Sequence, residues 1–168
     1  MENNKKKVFF KTFGCRTNQF DTQAMISSMK DNDFSSNEQE SDVIVVNSCT
    51  VTNGADTDVR QYINKIKNNF PNKKILLTGC GSSSKGKSLL ENKKVDGVFG
   101  HSNKSKIDSF IDTNHSFYEI GSLDDVDNSL VSNFAGKTRA FIKVQEGCNF
   151  KCSYCIIPSV RGVSRTLE

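Results

Sequence analysis

The stretch Gly147-Cys148-Asn149-Phe150-Lys151-Cys152-Ser153-Tyr154-Cys155 sets three thiols at i, i+4 and i+7. A short loop of that spacing can turn its sulfurs inward round a compact metal centre while the intervening residues turn out. Thiolates are soft ligands and select zinc or iron–sulfur clusters. Three local thiols suit a cubane of four irons and four sulfides with one iron left open, if no fourth ligand arrives. Competing readings use the residues less fully. A thioredoxin-like dithiol needs only Cys152 and Cys155 and leaves Cys148 without a role. Haem attachment requires His where Ile156 stands. A structural zinc site would have to draw its fourth ligand from far along the chain.

The other three cysteines are dispersed, and their meaning depends on the elements around them. Val8 to Phe13 is β-branched and aromatic and stops at Gly14, which reads as a strand. Phe20, Ala24, Met25, Ser28 and Met29 then follow a helical spacing, with Asn18 or Asp21 as the expected cap. Asp31 to Ser41 is rich in Ser, Asn and Asp and reads as a polar loop. Val43-Ile44-Val45-Val46 is a continuous apolar run of the kind buried parallel strands have. Val59, Ile63, Ile66 and Phe70 share one helical face, which Pro71 closes. Ile75-Leu76-Leu77 is a third strand. The pattern recurs with a short helix near Lys87 to Asn92, a strand near Val95 to Phe99, a helix near Lys104 to Ile111 and an edge element near Phe117 to Ile120.

Such alternation predicts an α/β fold, a parallel sheet with helices on both faces. Cys15, Cys49 and Cys80 each follow a predicted strand by one to a few residues, so all three fall at the carboxyl edge of that sheet. Neighbouring parallel strands lie ~4.8 Å apart, and ligands in such folds bind outside the carboxyl ends. The competing reading is three buried structural cysteines, since free Cys is often a small core residue. Core cysteines have no reason to recur at one place in three successive units.

Composition bounds the rest. A chain of 168 residues, 35% hydrophobic and 25% charged, fits one domain plus part of a second. No apolar run approaches a membrane span, and the basic Lys5-Lys6-Lys7 is not followed by a signal-peptide core, so a cytoplasmic protein is expected. Six cysteines in a reducing compartment argue against disulfides. The formal charge of +4 permits an RNA partner without demanding one. Gly81 to Ser88 fits G-x-x-x-x-G-K-[ST] between a strand and a helix, so a P-loop nucleotidase is carried as an alternative. It ignores all six cysteines, and no later strand ends in an Asp placed to hold magnesium. His101 and His115 read as surface or helix-end residues. Lys65, Lys67, Lys73, Lys74, Lys93 and Lys94 read as a solvated face.

The residues from Arg139 to Cys148, then Cys155-Ile156-Ile157-Pro158 and Arg161-Gly162, closely resemble the radical S-adenosylmethionine methylthiotransferases. The likeness extends through Thr12 to Gln19, Val46 to Thr52 and Leu77 to Cys80, and uses all six cysteines. It implies an N-terminal methylthiotransferase domain over 1–113, an edge element and linker over 114–137, and the start of a truncated radical-SAM domain over 138–168. That last part would hold the first strand and cluster loop of a partial (β/α) barrel.

The resemblance also implies two [4Fe-4S] clusters. Cys148, Cys152 and Cys155 would bind the one that chelates S-adenosyl-L-methionine, with Tyr154 near the adenine. Cys15, Cys49 and Cys80 would bind an auxiliary cluster carrying the sulfur to be inserted. The implied substrate is tRNA and the implied reductant a flavodoxin or ferredoxin. The local sequence looks most like the branch that adds methylthio at C2 of N6-threonylcarbamoyladenosine beside the anticodon. The isopentenyladenosine branch comes next, then the ribosomal-protein aspartate branch. Because the sequence stops at Glu168, an N-terminal portion lacking turnover alone is expected. A non-catalytic iron–sulfur or zinc protein stands as the alternative from another class.

Overall fold

The computed structural model describes residues 5–125, 129, 131 and 141–166. Among these residues six strands form one all-parallel sheet in the order β2-β1-β3-β4-β5-β6, where β1 is Lys7–Thr12, β2 Asp33–Phe34, β3 Val43–Ser48, β4 Lys74–Gly79, β5 Gly97–Phe99 and β6 Phe117–Glu119. The helices are α1 (Arg16–Ser28), α2 (Asn53–Asn69), α3 (Cys80–Glu91), α4 (Ile107–Asp112, entered through a 3₁₀ segment at His101–Lys106) and α5 (Ile157–Arg161).

Period-2 alternation along the strands sorts the core into two layers. Val8, Phe10, Val43, Val45, Leu76 and Phe99 face one side, where Met25 of α1 and Ile107, Phe110 and Ile111 of α4 cover them. Ile44, Val46, Ile75, Leu77 and Val98 face the other, under Val59, Ile63 and Ile66 of α2. Every residue of β3 is buried, which is why its sequence is apolar without alternation. Each such aliphatic side chain stabilises the fold by about 1.5–3 kcal/mol relative to exposure. Phe110 stacks between Phe99 and Phe117, with ring centroids 4.9 Å apart on each side, and so fixes α4 and the edge strand β6.

The helices on both faces and the expected strands are present, with local differences. β2 lies inside the stretch read as a loop; it is two residues long and pairs only Lys7 and Val8. The cap of α1 is Cys15, and Asn18 and Asp21 lie within the helix, fully buried. The Gly81–Ser88 segment is helical, because α3 starts at Cys80 rather than near Lys87. It therefore has no loop in which backbone N–H groups could cradle phosphates. Lys74 is not a solvated lysine: it donates to the carbonyls of Phe110, Ile111 and Thr113, the end of α4. Burial, with Lys6 nearby, pulls its pKa down to about 8.

Much of the expected linker before 138 lies outside the described residues, and residues 141–145 have no strand partner among the described ones. The expected first barrel strand begins in residues outside the described ones; after it, Glu146 and Arg165 form an isolated bridge with backbone hydrogen bonds of 2.9 and 2.8 Å. Cys148 N–H donates to the carbonyl of Gly162 at 3.1 Å, and α5 packs against α3. No helix among the described residues is long and apolar enough to cross a membrane.

Candidate metal centre

The parallel register brings three strand tips level. Thr12 pairs with Asn47, Asn47 with Thr78, and Ser48 with Gly79. Continuing β3 and β4 by one residue and β1 by three reaches Cys49, Cys80 and Cys15. Cys49 and Cys80 are buried and Cys15 is exposed. Gly14, at φ +94, makes room for this approach, since a Cβ there would lie 2.7 Å from the Cys49 sulfur. Gly79 turns the chain from β4 into α3 at φ +86, where a Cβ would collide with Asn47 and the Ser48 backbone.

Polar side chains tie these tips together. Asn18 donates to the carbonyls of Phe13 (2.8 Å) and Ser48 (2.9 Å), and Asn47 donates to the carbonyl of Asn18 (2.8 Å) and to Thr22 Oγ1 (3.0 Å). Ser48 Oγ donates to the Thr78 carbonyl at 2.5 Å. The tips of β1, β3 and β4 and the first turn of α1 are thus one hydrogen-bonded unit.

Cys15 and Cys80 stand at helix N-termini, where unpaired N–H groups favour negative charge. At Cys15 burial pushes the thiol up, but backbone N–H groups of Asn18 and Thr17, the Thr17 hydroxyl and Arg161 outweigh it and lower the pKa. At Cys80 burial dominates and raises the pKa against the pull of Arg161; the Cys49 and Cys15 thiols add to the rise. Cys80 thus feels both other sulfurs, and the three sequence-distant thiols share one electrostatic neighbourhood. All six cysteines are free. A soft, three-sulfur donor set at a sheet edge fits an iron–sulfur cluster better than a hard cation.

The second set lies in the loop before α5, with Cys152 exposed and Cys148 and Cys155 half-buried. Cys155 N–H donates to the Cys152 carbonyl at 3.1 Å. Tyr154 is 91% exposed, and Phe150, Ile142 and Val144 are also open.

A buried ionic network, missed in the sequence, lies beside the first set. Asp21, 1% exposed, meets Lys104 at 2.7 Å, Arg161 at 2.9 Å, Lys143 at 3.5 Å and His101 at 3.5 Å. Glu146 meets Arg161 at 2.8 Å, Lys143 at 3.4 Å and Arg165 at 3.8 Å. Burial opposes ionisation of Asp21, yet Lys104, His101 and Arg161 hold its carboxyl well below the ordinary range. His101 is buried, not at the surface, and its pKa is depressed chiefly by burial. Asp21, His101 and Glu146 lie within 4.8 Å of one another, as three ligands of a hard cation could. Lys104 and Arg161 already fill that role, and a metal ion there would have to displace them. The helical spacing of Asn18, Asp21 and Met25, which puts all three on the buried face of α1, was the available signal for this network.

Residues 7–100 match the uncharacterized protein family UPF0004. A Helicobacter pylori protein named "Putative methylthiotransferase" is 53% identical over 165 residues, which cover 97% of this chain and 39% of that protein. Threonylcarbamoyladenosine tRNA methylthiotransferases of Rickettsia prowazekii and Aquifex aeolicus are each 37% identical, over 99% and 96% of this chain and 38% and 42% of their own lengths. The chain therefore spans about two-fifths of the curated relatives it matches.

Proposed function

Because the chain belongs to the methylthiotransferase family, we propose that it is the cluster-bearing N-terminal part of an enzyme that adds methylthio to C2 of N6-threonylcarbamoyladenosine in tRNA. The observation carrying this reading is the shared neighbourhood of Cys15, Cys49 and Cys80 at three level strand tips. In this reading those thiols hold one [4Fe-4S] cluster, and Cys148, Cys152 and Cys155 hold a second with S-adenosyl-L-methionine, near Tyr154. When bound, the clusters and the sulfonium cofactor supply the electron, the sulfur and the methyl group.

The chain's own residues bind and orient. The helix N-terminus at Cys15 favours its thiolate, while at Cys80 Arg161 works against the burial that favours the thiol. The Asn18–Asn47–Ser48 hydrogen bonds hold the tips in register, and three ligands per set leave one iron open to an exchangeable partner. The exposed Tyr154 and Phe150 supply apolar, stackable surface beside the second set. The threonylcarbamoyladenosine branch is favoured by the names of the two relatives at 37% identity. A ribosomal protein uS12 methylthiotransferase at 32% and a dimethylallyladenosine synthase at 31% are the other branches. The proposed setting is cytoplasmic, with a flavodoxin- or ferredoxin-type reductant.

The test is anaerobic reconstitution of the full-length protein. About eight irons per chain are expected, falling by half when either set of three cysteines is changed to Ala. Zinc alone, or tight ATP binding with hydrolysis, overturns the reading. Incubation with tRNA bearing each candidate adenosine, read by nucleoside mass spectrometry, decides the branch.

A further inference from the structure

Arg161 lies on α5, shortly after Cys155, yet its side chain ends inside the other cysteine set's domain and is 4% exposed. Its guanidinium is used on three nitrogens. Nε donates to Cys80 Sγ at 3.3 Å, and Nη1 to Glu146 Oε1 at 2.8 Å. Nη2 donates to Asn18 Oδ1 at 2.6 Å and to Asp21 Oδ2 at 2.9 Å. Four of the five guanidinium N–H groups are thereby directed. Only a planar fork reaches four acceptors in different directions at once; a lysine ammonium is a single point charge with three donors.

The four acceptors are not equivalent. Asn18 is the residue that ties the β1 and β3 tips, Asp21 is the buried acid of α1, Glu146 opens the loop of the second cysteine set, and Cys80 is a candidate ligand of the first. One side chain therefore fastens the loop bearing Cys148, Cys152 and Cys155 to the edge bearing Cys15, Cys49 and Cys80.

We propose that Arg161 is a positioning residue that clasps the two cysteine sets together and tunes the first through its Nε–H to the Cys80 sulfur. The inference rests on the function proposed above. Hydrogen bonds and positive charge at a ligating sulfur favour the reduced, more electron-rich state of a cluster, so they raise its reduction potential. The clasp fixes the distance and orientation between the two sets, so that sulfur held at the first would lie within reach of the cofactor and substrate held at the second.

The test uses the full-length protein. In a background with Cys148, Cys152 and Cys155 changed to Ala, only the first set can hold a cluster, and its potential is followed by electron paramagnetic resonance during redox titration. Arg161→Gln is expected to weaken reduction at least tenfold, a fall of ~59 mV for one electron. Arg161→Lys, which retains the buried charge and guards against loss of fold, should shift it less in the same direction. In the otherwise unaltered chain, Arg161→Gln should speed hydrogen exchange tenfold or more at the amides of Glu146, Cys148 and Arg165. Glu146→Gln removes the anion facing Nη1, Lys143 and Arg165 but leaves Nε–H on Cys80, so it should speed that exchange and leave the potential in place. An unmoved potential in both Arg161 variants, or a Glu146→Gln shift as large as that of Arg161→Gln, overturns the inference. Failure of the wild type to take up iron overturns the function reading, whereas iron with an unmoved potential overturns this inference alone.

Discussion

Asp21→Asn separates charge from shape in the buried network. The amide fills the same volume, but it removes the anion that Lys104 and Arg161 approach at 2.7 and 2.9 Å. Both cations are almost wholly enclosed, so water cannot replace the lost partner. Removing one member of a buried pair costs about 3–5 kcal/mol, a large part of the ~5–15 kcal/mol that holds a domain folded. With a urea slope of about 2 kcal/mol per molar, the unfolding midpoint should fall by ~1.5–2.5 M. Urea titration at pH 7 followed by far-ultraviolet circular dichroism measures this. Adding Lys104→Met should restore part of the loss, because part of the cost lies in the enclosed Lys104 charge that loses its 2.7 Å counter-ion and the two sites couple. A single-variant shift under ~0.5 kcal/mol, the range of neutral surface changes, would refute the claim that the network is a structural keystone.

Two further outcomes test the edge itself. Gly79→Ala places a Cβ against Asn47 and the Ser48 backbone at a φ of +86, so it should cost ~1–3 kcal/mol. On the function proposed above it should also lower iron uptake at the first cysteine set while sparing the second, read by iron analysis and thermal melting. His101 is held below its ordinary pKa by burial, with Arg161 and Lys104 acting the same way and Asp21 against. Below pH ~6.5 the unfolded chain then binds the proton first, and stability falls as pH drops through that window. Asp21 acts in the same sense only below pH ~4, where its unfolded carboxyl protonates. His101→Gln should therefore flatten the difference between melting temperatures at pH 7.5 and 5.5; an unchanged slope counts against it.

What could be read from the amino acids alone was what repeats. β3, β4 and the buried face of α2 announce themselves because burying a strand on both faces, or one stripe of a helix, demands regular apolar residues. β2 left no such trace: two residues suffice for its pairing, and Phe34 stays half exposed. The start of α3 was hidden by composition, since Gly, Ser and Lys read as a loop. Those small residues instead let the helix lie close, with Gly86 directly against Val98. For the candidate site, the strand-tip cysteines were legible through their common offset, and the register of β1, β3 and β4 explains why. The Asp21–Lys104–Arg161 network was not, because periodicity arguments weigh apolar residues and discount charge. Asp21 on the apolar stripe of α1 was the one clue.

The placement of Arg161 also orders events during synthesis. Every strand of the sheet precedes it in the chain, so at ~5–20 residues per second the ribosome exposes the complete sheet seconds before the guanidinium that closes its edge. Throughout that interval Asp21 has no Arg161 to meet, and the edge bearing Cys15, Cys49 and Cys80 stands open to solvent and, on the function proposed above, to whatever delivers iron and sulfide.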